Sequence, residues 1–302
     1  MRARDVFFGP EKLRALWRVL IFLVLAFASF WLLLTVTSPL VPSEQGYFWG
    51  LAFPSALLVV AILLPSFVMM RWIERRPFAA MGLPLGKEAP RGFLRGAVIG
   101  GGFIALIVVL ETVVGWLRPA PDAGTLLGWL EEIVGLALLV AVAAAAEELL
   151  FRGYAFQVLV EGAGVTLALI LSAGTFTFVH LRNPEVTSLG LLNIGFAGVL
   201  MALAYLRTRS LWVALGLHWA WNYVMAAVFD LPVSGIHFDV SGYDTLLSGP
   251  ELVTGGAFGP EGGLLTTVLS LPLIVWVFRT RWLAESPRMA ALKPLVDARD
   301  LP

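Results

Sequence analysis

Apolar residues in this chain come in runs of about 20, separated by polar connections, over roughly Leu16–Leu40, Tyr47–Met70, Phe93–Leu117, Trp129–Val160, Val165–Leu181, Ser188–Leu206, Leu211–Phe229 and Gly263–Arg279. In hydrocarbon every backbone N–H and C=O needs a partner within the chain, so runs of this length read as spanning α-helices. Strands of a membrane β-barrel would alternate apolar and polar positions, and these runs do not. The pattern predicts an all-α, polytopic membrane helical bundle with about eight transmembrane helices. The first run is longer than a signal-peptide core and lacks a small-residue cleavage site, so it reads as a retained span.

Composition agrees. With 302 residues, 59% of them apolar, 14% charged and a mean hydropathy of +0.85, the chain has too little polar surface to cover a water-soluble globule. Its main solvent is the lipid bilayer, and the expected location is the cell membrane, crossed many times. Net charge is zero, which leaves no basic field to recruit nucleic acid. The absence of cysteine removes disulfides, thiolate ligands and a thiol nucleophile together.

The basic residues orient the bundle. Of 21 Lys and Arg, only Arg118 and Arg182 fall on one side of the alternating spans, with Arg152 inside span four. The others gather on the opposite side, which puts both termini in the cytoplasm. The connection over residues 230–262 carries five acids and no Lys or Arg, as an extracytoplasmic loop should, and its Gly255–Glu261 stretch is turn chemistry. No repeat or composition break divides residues 1–302, so a single integral-membrane domain is expected, with a motif-bearing core over 129–229. Gly96 and Gly100 in span three, and Gly195 and Gly198 in span six, mark close helix packing.

Ionisable groups at bilayer depth are costly, rare and functional by default. Span four contains Glu147, Glu148 and Arg152; span five ends with Phe176 and His180; span seven holds His218 and Asn222. Glu148 and Arg152 stand at i and i+4, acid first, the favoured order for an ion pair on a helix. Glu147 is turned about 100° away and is left free to act. The alternative is that both acids simply bond to neighbouring helices. His218 and Asn222, also i and i+4, stack an imidazole and an amide on one face, and each alone could equally glue helices together. If span four runs unbroken to Val160 and span five returns antiparallel, Glu147 and His180 differ in depth by roughly 4.5 Å. His218 lies somewhat shallower. Glu111, Glu131 and Glu132 stand near span ends, where reaching out to the interface is the default expectation.

Glu-Glu-x-x-x-Arg, Phe-x-x-x-His and His-x-x-x-Asn, in that order on spans four, five and seven, resemble the CAAX-protease and bacteriocin-processing (CPBP, or Abi) family of intramembrane proteases. That resemblance implies that Glu147 and His180 activate a water, that His218 and Asn222 stabilise an oxyanion, and that Glu148 and Arg152 support them. It also implies a membrane-associated peptide or protein substrate, of CAAX or bacteriocin type. The chemistry is coherent by itself, because peptide hydrolysis needs a base for water, donors for the oxyanion and an acid for the leaving amine. A neutral His218 and the Asn222 amide would offer two N–H donors. No His-Glu-x-x-His zinc helix and no Gly-x-Ser-x-Gly elbow occurs. Glu147, His180 and His218 could supply three ligands of a catalytic zinc, or work without metal. Two other classes compete: a proton-coupled transporter, disfavoured because the first three spans hold no counterpart of the polar cluster, and a non-catalytic immunity or scaffold protein.

Overall fold

A computed structural model describes residue 7 and residues 13–41, 48–122 and 124–292. The basic residues Arg2, Arg4, Lys12, Lys293 and Arg299, and the expected Tyr47 start of span two, lie outside them. The described helices are α1 (Ala15–Thr37), α2 (Phe53–Val68), α3 (Glu88–Val113), α4 (Leu126–Arg152), α5 (Tyr154–Ala163), α6 (Val165–Val179), α7 (Ser188–Thr208) and α8 (Leu211–Tyr223), then the short α9 (Glu251–Thr254), α10 (Leu264–Arg279) and α11 (Pro287–Ala291). With their flanking turns, seven helices among the described residues are long and apolar enough to cross a membrane, and the 16-residue α10 is a shorter eighth. The protein is an integral, multi-pass helical bundle. Side chains of Thr125 and Thr187 cap α4 and α7, accepting from the backbone N–H of Gly128 and Gly190.

Span four departs from the sequence expectation. It breaks at Gly153, where ψ of −140° ends α4 directly after Arg152, and α5 begins afresh at Tyr154. The unbroken rise expected from Glu147 to Val160 therefore does not exist. A β-carbon at Gly153 would meet the Leu149 carbonyl oxygen at 2.1 Å, so only glycine makes this bend.

Side-chain contacts sort the helix ends onto two faces. On one, Arg18 of α1 bonds Glu74 beyond α2 and Glu161 of α5, Trp212 of α8 donates to the Pro84 carbonyl before α3, and Arg207 of α7 donates to the Thr280 carbonyl after α10. On the other, residues 230–263 fold against the ends of α3, α6 and α8 and the starts of α4, α7 and α10. Strand β1 (Leu117–Pro121) pairs antiparallel with β2 (Tyr243–Leu247), a small sheet that apolar periodicity did not announce. Glu132 accepts from the backbone N–H and hydroxyl of Ser241. Gly255, Gly256 and Gly259 all take positive φ, as turn chemistry required.

Glutamate 111 corrects another expectation. It does not reach the interface: it is 1% exposed, and neither carboxylate oxygen has a hydrogen-bond partner among the described residues.

The closest helix approach is between α3 and α8, which run parallel. A β-carbon at Gly96 would lie 2.0 Å from the Val213 carbonyl oxygen, one at Gly100 2.1 Å from that of Leu217, and one at Gly216 2.0 Å from that of Phe93. The backbones touch because there is no side chain between them, and dispersion over this seam replaces the hydrophobic drive that lipid does not supply. Phe103 stacks on Trp221, with ring centroids 4.8 Å apart, and extends the seam. Gly100→Ala, which forces a methyl group into backbone, should destabilise the bundle by about 1–3 kcal/mol. Its thermal midpoint in detergent should fall by several degrees, whereas Gly102→Ala, facing open space, should leave it unchanged.

Candidate active site

Arg152 is fully buried, and in a low dielectric its charge demands a partner. Its Nη1 donates to Glu148 Oε1 at 3.0 Å, the i, i+4 pair expected from sequence, and its Nη2 donates to the Gly198 carbonyl at 2.9 Å. Gly198 packs closely here, since a β-carbon on it would sit 3.4 Å from Nη2, at van der Waals contact. The flat guanidinium also lies over the Phe176 ring, 4.5 Å from its centroid.

Glu148 does more than neutralise Arg152. The same Oε1 receives His218 Nδ1 at 2.9 Å, which carries the chain of contacts from α4 to α8. Since a carboxylate accepts, Nδ1 bears the hydrogen, and Nε2 is left facing Glu147 Oε2 at 3.8 Å. That separation is too long for a direct hydrogen bond, and Oε2 has no hydrogen-bond partner among the described residues. His180 begins the 3₁₀ turn that ends α6, where Nδ1 donates to the Phe176 carbonyl at 2.7 Å and Nε2 keeps its lone pair.

Phe176 is the member of the second motif to which the sequence reading gave no role. Its ring packs at 4.7 Å from the His180 ring and 6.0 Å from the His218 ring, in addition to Arg152. One aromatic side chain thus packs against Arg152 and both imidazoles at once. Its place one helical turn before His180 was the available signal.

Glu147, His180, His218 and Asn222 all line one cavity of about 420 Å³. The structure therefore brings the four predicted residues to a common space, while Glu148 and Arg152 stand behind the wall. Apolar side chains such as Leu58, Leu139, Val140 and Met201 form much of the remaining lining. Ser234 and Glu261 also line it, and both were missed because they sit in the long loop, far from any motif.

Among the described residues, no three His, Asp or Glu side chains gather at spacings that would hold a metal ion. Glu147, His180 and His218 share a wall, and with Nδ1 bonded to the Phe176 carbonyl in one ring and to Glu148 in the other, Nε2 is the nitrogen that each imidazole could offer to a metal or to a water.

Arg152→Leu should lose about 3–5 kcal/mol of stability by leaving Glu148 uncompensated. Arg152→Leu/Glu148→Leu should recover part of that loss yet still misplace His218. Thermal melts of the two variants in detergent would check the order.

The family model described as Type II CAAX prenyl endopeptidase Rce1-like matches residues 129–224. No curated protein and no solved structure matches the chain. The matched third of the chain runs from α4 to the end of α8 and contains all four cavity residues together with Glu148 and Arg152. The segment that carries the three ordered motifs is thus similar to the Rce1-like type II CAAX prenyl endopeptidases, in line with the resemblance that the motifs suggested.

Proposed function

We propose that the protein is an intramembrane endopeptidase that hydrolyses a peptide bond in a membrane-associated peptide or protein, with Glu147 as base and then acid. The observation that carries this reading is the convergence of Glu147, His180, His218 and Asn222, from three helices, on one largely apolar cavity. Glu147 Oε2, without a hydrogen-bond partner among the described residues, is the acceptor for a proton from water. His180 Nε2, a lone pair fixed by the Nδ1 bond to Phe176, orients the same water.

Charge counting refines the role of His218. A neutral ring with Nδ1–H given to Glu148 presents an acceptor at Nε2, so it cannot be the oxyanion donor expected from sequence. A protonated ring can. With His218 protonated, Arg152 and His218 balance Glu147 and Glu148, and the four charges sum to zero. When water passes its proton to Glu147, the set becomes +1 as the tetrahedral oxygen becomes −1. Charge is thus matched through the step where the low dielectric weights it most. The Asn222 amide supplies a second donor. Glu147 then returns its proton to the leaving amine as the C–N bond breaks.

The family match and the apolar lining support a tail or segment delivered from the bilayer as substrate, with prenylated CAAX-type C-termini and bacteriocin-type peptides as the two to try first. Residues 129–229 act as the catalytic core of one domain, and residues 230–262 as an extracytoplasmic loop of the cell-membrane protein.

The test is cleavage of a lipidated peptide library by purified protein. Glu147→Ala and His180→Ala should each lose about 100-fold or more in kcat. Cleavage at wild-type rate by either would refute the mechanism. His218→Asn should lose kcat with little change in KM, because its contact is made to the oxyanion and not to the bound substrate.

A further inference from the structure

Outside the family match, the residue most closely tied to the cavity is Glu261. It lies in a Gly-rich turn of the long loop, yet it is 6% exposed and lines the same cavity as Glu147 and Asn222. Both carboxylate oxygens are occupied. Oε1 accepts from Trp221 Nε1 at 2.8 Å, and Oε2 accepts from the backbone N–H and hydroxyl of Ser234 at 2.7 and 2.6 Å. A carboxylate saturated in this way is a holder of other groups rather than an acid or base.

What it holds are two walls of the cavity. Trp221 directly precedes Asn222 on α8. Ser234 sits among Val233, Ile236 and Phe238, which close the loop end of the cavity. Glu261 is itself anchored from the bundle: Asn193 of α7 donates to the carbonyls of Glu261 and Gly263 at 2.7 and 2.9 Å, and Thr267 of α10 donates to Asn193 Oδ1 at 2.7 Å. Backbone contacts leave no slack. Gly259, at φ 91°, has the Pro232 carbonyl oxygen 2.1 Å from where its β-carbon would be, and Asn183 Nδ2 donates to the Ser234 carbonyl at 3.0 Å.

We propose that Glu261 is a positioning residue that clamps residues 233–238 over the cavity as a fixed roof and, through Trp221, sets the helix turn carrying Asn222. The roof closes the loop end, so a substrate must reach Glu147 from elsewhere, and the side chains of Val233, Ile236 and Phe238 meet the part of the substrate that extends past the cleaved bond. The assignment of Asn222 and of a substrate rests on the protease reading; the clamp itself does not.

The absence of cysteine makes a direct test available in the full-length protein. Ile236→Cys places one thiol in the roof, and Ala204→Cys places one in the fully buried core of α7 as a control. Maleimide labelling in detergent should be slow at both. Adding Glu261→Ala should raise labelling at position 236 by about tenfold while position 204 stays protected, because a local opening is separable from global unfolding. Glu261→Gln can still accept from Trp221 but not from the Ser234 N–H, and should fall between. Unchanged labelling at 236, or a parallel rise at 204, would overturn the proposal. In peptide cleavage, Glu261→Ala should raise KM and lower kcat together, with partial rescue by Glu261→Gln. If the wild type cleaves nothing, the protease reading falls, and the labelling still decides the clamp.

Discussion

A guanidinium buried completely among hydrocarbon is the constraint around which this bundle is arranged. Arg152 has no route to water, so its charge is met by Glu148 one turn earlier, by a carbonyl of α7 and by the face of Phe176. Each partner comes from a different element, and each is required to stand at a particular depth and rotation. Because Glu148 shares one oxygen between Arg152 and His218, the demand for neutrality in α4 also fixes the tautomer and direction of a ring on α8. Electrostatic necessity in a low dielectric becomes geometric order in the cavity.

The second requirement is close approach. His218 immediately follows Leu217, whose backbone rests against Gly100, and three glycines along the seam let α8 lie directly on α3. Without lipid-driven association, contact of this kind is what sets the height and roll of a helix. The imidazole reaches Glu148 because the seam brings it there. On the other side, the Gly198 carbonyl accepts from Arg152 and ties α7 to the same pair. Small residues and buried charge therefore act on one another, since each glycine contact sets the distance at which an ionic contact can form.

The loop over residues 230–263 joins the membrane helices to the cavity from outside the family match. Leu231, Val240 and Phe258 are buried, and Glu261 turns its carboxylate inward to donors on α8 and on the loop itself. A connection that composition describes only as acidic and Gly-rich is part of the cavity wall. The β1–β2 pair and the Glu132–Ser241 bonds tie its far part to α3 and α4, so the loop is fastened at both ends.

Membrane class, the all-α bundle and the Glu148–Arg152 pair were legible from the chain, because hydrocarbon makes length, apolarity and i, i+4 spacing decisive over short range. What spacing could not give was everything that depends on a partner distant in sequence. The burial of Glu111, the ring of Phe176 between two histidines, and the bonds of Glu261 to α8 and to the loop each arise from contacts between segments far apart in the chain. So does the commitment of His218 Nδ1 to Glu148, which decides what its other nitrogen can do. A sequence states which groups are too expensive to leave unpaired in lipid; only the packed bundle determines which partner each one finds.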